Sequence, residues 1–209
     1  MLFPKVLNYI KEAEGQFGTI PEARKQVLLK ISQYVEHKIK AGEKAELIYI
    51  CTHNSRRSHF GQVWAKTAAA YYGIKEVVTY SGGTEATAFN PNAIKAVQNV
   101  GFEVLKETEA PNPRYSVVYS PEEIGIICFS KTYDDLSNPQ SGFCAVMTCT
   151  EADGNCPFIP GAAVRVSTPY DDPKAFDNTD LQEAKYDERC KQIASETLYV
   201  FSEAKKLIA

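Results

Sequence analysis

The chain has 209 residues, is 44% hydrophobic and carries a formal net charge of -3 at pH 7. This is enough apolar surface for one core, with no cationic excess of the kind that nucleic-acid binding draws on. No stretch reaches the roughly 18 uninterrupted apolar residues of a membrane helix, and the opening MLFPKVLNYIKEAEG turns charged too early for a secretory signal, so a cytoplasmic protein without membrane partners is expected.

Residues 1–45 read as a helical extension. Ile20-Pro21-Glu22 makes a helix start, Val27, Leu28, Ile31, Tyr34 and Val35 recur at helical spacing, and Gly42 closes the segment. Such a stripe packs against a core or a second copy and carries no chemistry of its own. Residues 46–209 are expected to form an α/β domain. A strand at 47–50 leads through a loop into a helix that begins near Ser58 and stops at Gly73. A second strand at 76–80 precedes Ser81-Gly82-Gly83, and Asn90-Pro91-Asn92 opens a helix that runs to Val100. Residues 115–119 and 124–129 flank Ser120-Pro121-Glu122-Glu123 as an added β-hairpin. Strands at 143–148 and 162–166 and an amphipathic helix over 180–207 complete the chain. The expected fold class is α/β: an open, parallel, four-stranded sheet flanked by helices, with the helical extension and the hairpin appended. No internal repeat is found.

The six cysteines stand at 51, 128, 144, 149, 156 and 190. In a reducing compartment an even count does not imply a disulfide framework. The chain has no CxxC pair, and His37, His53 and His59 lack ligand spacing with the cysteines, so no metal site is expected.

In an open parallel sheet, ligands bind at the carboxyl ends of the strands, and Cys51 opens the loop after the first strand. Between Cys51 and Arg57 lie Thr52, His53, Asn54, Ser55 and Arg56. Successive backbone N–H groups in such a loop curl around a tetrahedral oxyanion while Arg57 grips two of its oxygens. A helix N-terminus and an adjacent arginine also favour thiolate over thiol, which makes Cys51 a candidate nucleophile. Ser58 is placed to donate a hydrogen bond to the sulfur and ease its departure. The Arg56 side chain is expected on a solvated rim. The competing reading is a buried structural cysteine beside unrelated arginines.

The string C-T-H-N-S-R-R-S (51–58) resembles the phosphate loop of the low-molecular-weight protein tyrosine phosphatases and of their relatives, the thioredoxin-coupled arsenate reductases. Their pattern is Cys-x5-Arg-Ser/Thr with an asparagine and a serine inside, which Asn54 and Ser55 match. The resemblance extends through Y-S-G-G-T-E-A-T-A-F-N-P-N-A-I-K-A-V (80–97), S-K-T-Y-D-D (130–135), C-T-E-A-D-G-N-C-P (149–157) and Y-D-D-P (170–173). It depicts most of the chain after residue 45 and says nothing of the first 45 residues or the hairpin. Two positions depart from the pattern: Arg56 stands where a second cysteine is frequent, and His53 where a small residue is common.

The resemblance implies that the aspartate before proline, Asp172, is the general acid for the leaving oxygen; a turn-forming role for Asp171-Asp172-Pro173 is the alternative. It also implies that Cys149 and Cys156, with six residues between them, are a resolving pair that ordinary phosphatases lack; two ordinary buried thiols are the alternative. Were 149–156 one helix, the two Cα atoms would stand about 10 Å apart, beyond the ~4.4 to 6.8 Å of a disulfide, so the segment must unwind or be a loop. Cys128, Cys144 and Cys190 read as packing residues. The expected activity is arsenate reduction, with no bound cofactor and with thioredoxin or another thiol reductant as electron donor. The alternatives are a low-molecular-weight tyrosine phosphatase acting on phosphotyrosine or aryl phosphates, and a non-catalytic oxyanion-binding regulator.

Overall fold

The computed structural model describes residues 1–155 and 158–209. The first half of the chain holds α1 (Pro4–Glu14), α2 (Glu22–Lys40), β1 (Ala45–Cys51), α3 (Arg57–Tyr71), β2 (Val77–Gly83) and α4 (Pro91–Val100). The second holds β3 (Glu103–Lys106), β4 (Tyr115–Val118), β5 (Ile126–Cys128), β6 (Phe143–Met147), α5 (Thr150–Asn155), β7 (Ala162–Ser167) and α6 (Gln182–Ile208).

β1 is apolar on both faces. Ala45, Leu47 and Tyr49 join one buried cluster, and Ile48 and Ile50 join another. A strand of that kind belongs inside a parallel sheet covered on both sides. It lies there, in the order β2-β1-β6-β7 with every pairing parallel. Register places Cys51 opposite Gly83 and Ile50 opposite Met147, so three strands deliver their carboxyl ends to one place.

One face of this sheet carries α2, α3 and α6, whose Leu28, Ile31, Trp64, Ile193, Leu198 and Phe201 share the cluster of Leu47 and Tyr49. Gly61 lets α3 lie directly on β1, because a Cβ there would overlap the Tyr49 ring. The opposite face is covered more thinly, by Cys149, Ala152 of α5 and Ile159 packed on Ile48, Ile50 and Met147.

The helical extension consists of two helices, and both enter the same core. Val6, Ile10 and Ala13 of α1 are buried with the α3 and α6 side chains. Trp64 is fully buried, stacked on Tyr9 of α1 at 5.5 Å and edge-on to Phe102 at 5.3 Å. Truncating a buried tryptophan costs roughly 3–5 kcal/mol, so this contact binds α1 firmly to the α/β layers.

The helix expected from Asn90 forms as its caps dictate. Asn90 Oδ1 accepts the N–H groups of Asn92 (2.9 Å) and Ala93 (3.3 Å), and Pro91 needs no acceptor for a missing N–H. The appended hairpin is the β4–β5 pair, extended to a three-stranded antiparallel sheet by β3. β3 went unforeseen because three of its four residues are exposed, which leaves no alternation to read. Among the described residues no helix is long and apolar enough to cross a membrane.

Candidate active site

Cys51 ends β1, and the chain turns at once through residues 52–56 into α3. The loop carbonyls are engaged on the outside. Thr84 N–H donates to Cys51 O (3.2 Å), Glu85 N–H to Thr52 O (3.0 Å), Ser130 Oγ to His53 O (2.9 Å) and Asn90 N–H to Ser55 O (3.0 Å). In a trans peptide the N–H points opposite to the carbonyl, so the N–H groups that follow turn inward. Among the described residues no acceptor takes the N–H groups of Thr52, His53, Asn54, Ser55 or Arg56. These donors form a concave arc at the start of α3, the arrangement that binds anions. Gly83 stands against it: a Cβ there would fall 2.6 Å from Thr52 O and 2.8 Å from Asn54 N.

Asn54 holds the middle of the arc. Its φ of +44° lies in the left-handed region that asparagine tolerates better than most side chains. Its Oδ1 accepts the Lys131 N–H (2.9 Å) and its Nδ2 donates to Ser58 Oγ (2.8 Å). Ser58 Oγ lies 3.1 Å from Cys51 Sγ, and with the Asn54 amide on its lone pair the hydroxyl proton is directed at sulfur. Cys51 is 3% exposed.

Arg57, the first residue of α3, is buried beneath the loop. Nη1 donates to Tyr170 O (2.8 Å) and Nη2 to Asp172 Oδ2 (2.7 Å), while Nε is buried with no acceptor among the described residues. Asp172 forms the turn that was the alternative reading of its sequence context, and it also reaches Arg57. Its Oδ1 accepts the Lys174 N–H (3.0 Å) and caps the 3-10 turn Pro173–Phe176, and its Oδ2 faces Arg57 across the site. Asp171 turns away to solvent and meets Arg189 at 3.4 Å.

Arg56 corrects the expectation of a solvated rim. Its side chain is 11% exposed, with Nε donating to Tyr186 OH (2.7 Å) and Nη2 at 3.5 Å from Asp177 Oδ2. Tyr186 OH in turn donates to Asp177 Oδ1 (2.7 Å). The guanidinium is therefore turned towards Asp177 and towards Tyr186 of α6, with Nε 4.0 Å from Asp172 Oδ1. His53 does sit on the rim, its Nε2 2.9 Å from Glu85.

The second thiol reaches the same place by register. Thr148 N–H donates to Ile50 O (2.7 Å), so Cys149 follows at the end of β6, beside the end of β1. Its sulfur lies 3.4 Å from Thr52 Oγ1 and accepts the Ala152 N–H at 3.4 Å. Burial pushes the Cys149 thiol pKa up, against those two hydrogen bonds and the Arg57 charge, which lower it. α5 begins at the next residue. Cys156 lies outside the described residues. Cys128, Cys144 and Cys190 are buried, each pushed up to about 12 by that burial, as suits packing thiols.

Sequence reading missed one anchor of the loop that carries Asp172. Arg24 of α2 donates from Nε to Glu196 Oε2 (2.9 Å) and from Nη2 to Pro169 O (3.3 Å), and its Cζ lies 4.9 Å above the Tyr170 ring. Tyr170 OH donates to the same Glu196 oxygen (2.8 Å). The helical extension thus touches the segment that carries Asp172.

No protein-family model matches the chain. An arsenate reductase of Bacillus cereus (strain ATCC 14579) is 31% identical over 142 residues, which is 68% of this chain and 87% of that protein. The arsenate reductase of Bacillus subtilis (strain 168) is 29% identical over 164 residues, 78% of this chain and 99% of that protein. Among solved structures, a low-molecular-weight phosphotyrosine phosphatase from Vibrio cholerae O395 matches with a TM-score of 0.50 at 13% identity, covering 76% of this chain and 95% of that one. That likeness supports the fold.

Proposed function

Since the chain belongs to the arsenate reductases of the low-molecular-weight protein tyrosine phosphatase superfamily, we propose that it reduces arsenate through Cys51, with Cys149 and Cys156 as the thiols that supply the two electrons. The oxyanion sits in the arc of N–H groups from residues 52–56 and on the Arg57 guanidinium, whose buried Nε has no other acceptor among the described residues. An oxyanion that takes Arg57 draws it from Asp172 Oδ2 and leaves that carboxyl beside the departing oxygen.

The Cys51 sulfur attacks arsenic and forms an S–As bond, while the leaving oxygen takes a proton from Asp172 and departs as water. Ser58 steadies the sulfur before attack and again when it leaves. The Cys149 thiolate then attacks Cys51 Sγ. An S–S bond forms, the S–As bond breaks with its electron pair remaining on arsenic, and arsenite is released. Attack of Cys156 on Cys149 Sγ frees Cys51 and leaves the pair oxidised, ready for exchange with a dithiol reductant of the thioredoxin type. With Thr150–Asn155 helical, the segment between the two thiols has to unwind for this last bond.

The observation that carries the reading is the Cys149 sulfur 3.4 Å from Thr52, inside the oxyanion loop. Phosphate ester hydrolysis needs no second thiol there. Cys149→Ser is accordingly expected to abolish arsenate turnover and to leave hydrolysis of p-nitrophenyl phosphate within about threefold of wild type, a loss of less than about 0.7 kcal/mol in barrier terms. Equal loss of both activities would remove Cys149 from the relay.

A further inference from the structure

Three cations converge on a cavity that none of residues 51–58 lines. It holds about 290 Å³ and opens beside β2 and β5, with Lys66, Arg114 and Lys131 among its lining residues and no aspartate or glutamate among them. Ile126, Ile127 and Phe129 form its apolar wall. The Phe129 ring is faced by two cations, Arg114 Cζ at 4.5 Å and Lys131 Nζ at 4.3 Å from its centroid.

Lys66 is committed, its Nζ donating to Val77 O (3.1 Å). The other two are not. Among the described residues neither the Lys131 nor the Arg114 side chain forms an ion pair or a hydrogen bond; Lys131 is engaged through its backbone, to Asn54 and Gly83. Lys131 is only 5% exposed, and burial lowers its pKa below the ordinary lysine value. The carboxylate whose field reaches both groups is Asp135, but it is outside the lining and accepts the N–H (2.8 Å) and hydroxyl (2.7 Å) of Ser137. A buried ammonium without a bonded counter-charge is costly, and an anion entering the cavity removes that cost.

We propose that this cavity is a binding site for an organic anion with a flat apolar body, of the aromatic carboxylate class. The carboxylate meets Lys131 and Arg114 where they cover Phe129, and the ring lies against Ile126 and Ile127. The volume is several times that of a bare tetrahedral oxyanion, and the apolar wall gives such an ion nothing to bond. Both features separate this site from the Cys51 loop.

The test titrates the full chain with sodium 2-naphthoate and with uncharged 2-naphthylmethanol, by calorimetry and by amide NMR shifts. Naphthoate is expected to bind wild type at least tenfold more tightly than the alcohol. Arg114→Ala and Lys131→Met should each weaken it about tenfold, as loss of a charge-assisted hydrogen bond does. Arg57→Gln should leave it unchanged. Arg114 has an exposed side chain, so its variant carries the test alone if Lys131→Met fails to fold. Naphthoate affinity lost in Arg57→Gln, or untouched by the cavity variants, or absent up to about 10 mM, overturns the proposal.

Discussion

Arg24→Ala probes the link between the helical extension and the loop that carries Asp172. Arg24 and Glu196 are 18% and 7% exposed at their side chains, so the ion pair between them is largely shielded from water. Removing one partner of a buried pair costs about 3–5 kcal/mol, because the remaining charge is stranded. Here Tyr170 OH still donates to Glu196 Oε2, which places the expected loss at the lower end, about 3 kcal/mol. For a chain of this size that is a fall in Tm of about 6–12 °C. Glu196→Gln removes the stranded charge, so the double variant should regain about 1.5–2 kcal/mol over the sum of the single losses. Arg24 also holds Pro169 and Tyr170, and the Tyr170 carbonyl takes Arg57 Nη1, so turnover of p-nitrophenyl phosphate should fall roughly tenfold while the fold persists. Urea unfolding followed by circular dichroism gives the first number and steady-state kinetics the second. A loss below about 1 kcal/mol, or strict additivity in the double variant, would refute the reasoning.

Gly83→Ala should pull Thr52 and Asn54 out of the arc and cost about 100-fold in kcat/KM for aryl phosphates with an unchanged circular dichroism spectrum; near-normal kinetics would show that the loop yields. Asp172→Asn should slow esters with poor leaving groups far more than those with good ones, and an equal loss across the series would deny Asp172 the acid role. Because the Cys149 thiol is pushed above its ordinary value, its thiolate fraction at neutral pH is small and grows as pH rises. Single-turnover arsenite release should therefore accelerate from about pH 7 to 9, and Cys149→Ser should leave the pH profile of ester hydrolysis as in wild type; a flat arsenite-release profile would contradict the assignment.

The contiguous part of the site was legible from the sequence because its geometry is local. Seven residues from Cys51 to Arg57, placed between a strand and a helix, dictate the arc, and Ser58 is one step further on. Asp172 and Cys149 are distant in sequence and were reached through resemblance, while parallel register explains how strand ends bring them in. Arg56 was misread because its partners, Asp177 and Tyr186, stand 121 and 130 residues away, and no local period announces such a pairing. Arg24 was invisible for the same reason, lying on a helix whose pattern signals only packing. β3 was missed because Glu103 and Lys106 are solvent-facing, whereas the β4–β5 pair betrayed itself through apolar runs on either side of a proline turn.

The relay is tested most directly by its product. One equivalent of arsenate, added to the fully reduced protein without reductant, should leave Cys149 and Cys156 joined in a disulfide and Cys51 as a free thiol, read by mass spectrometry of alkylated peptides. Arsenite should appear in equal amount. Arsenate that is consumed while all three cysteines remain alkylatable, or no arsenite beside an intact capacity to hydrolyse aryl phosphates, would contradict the reduction of arsenate by this chain.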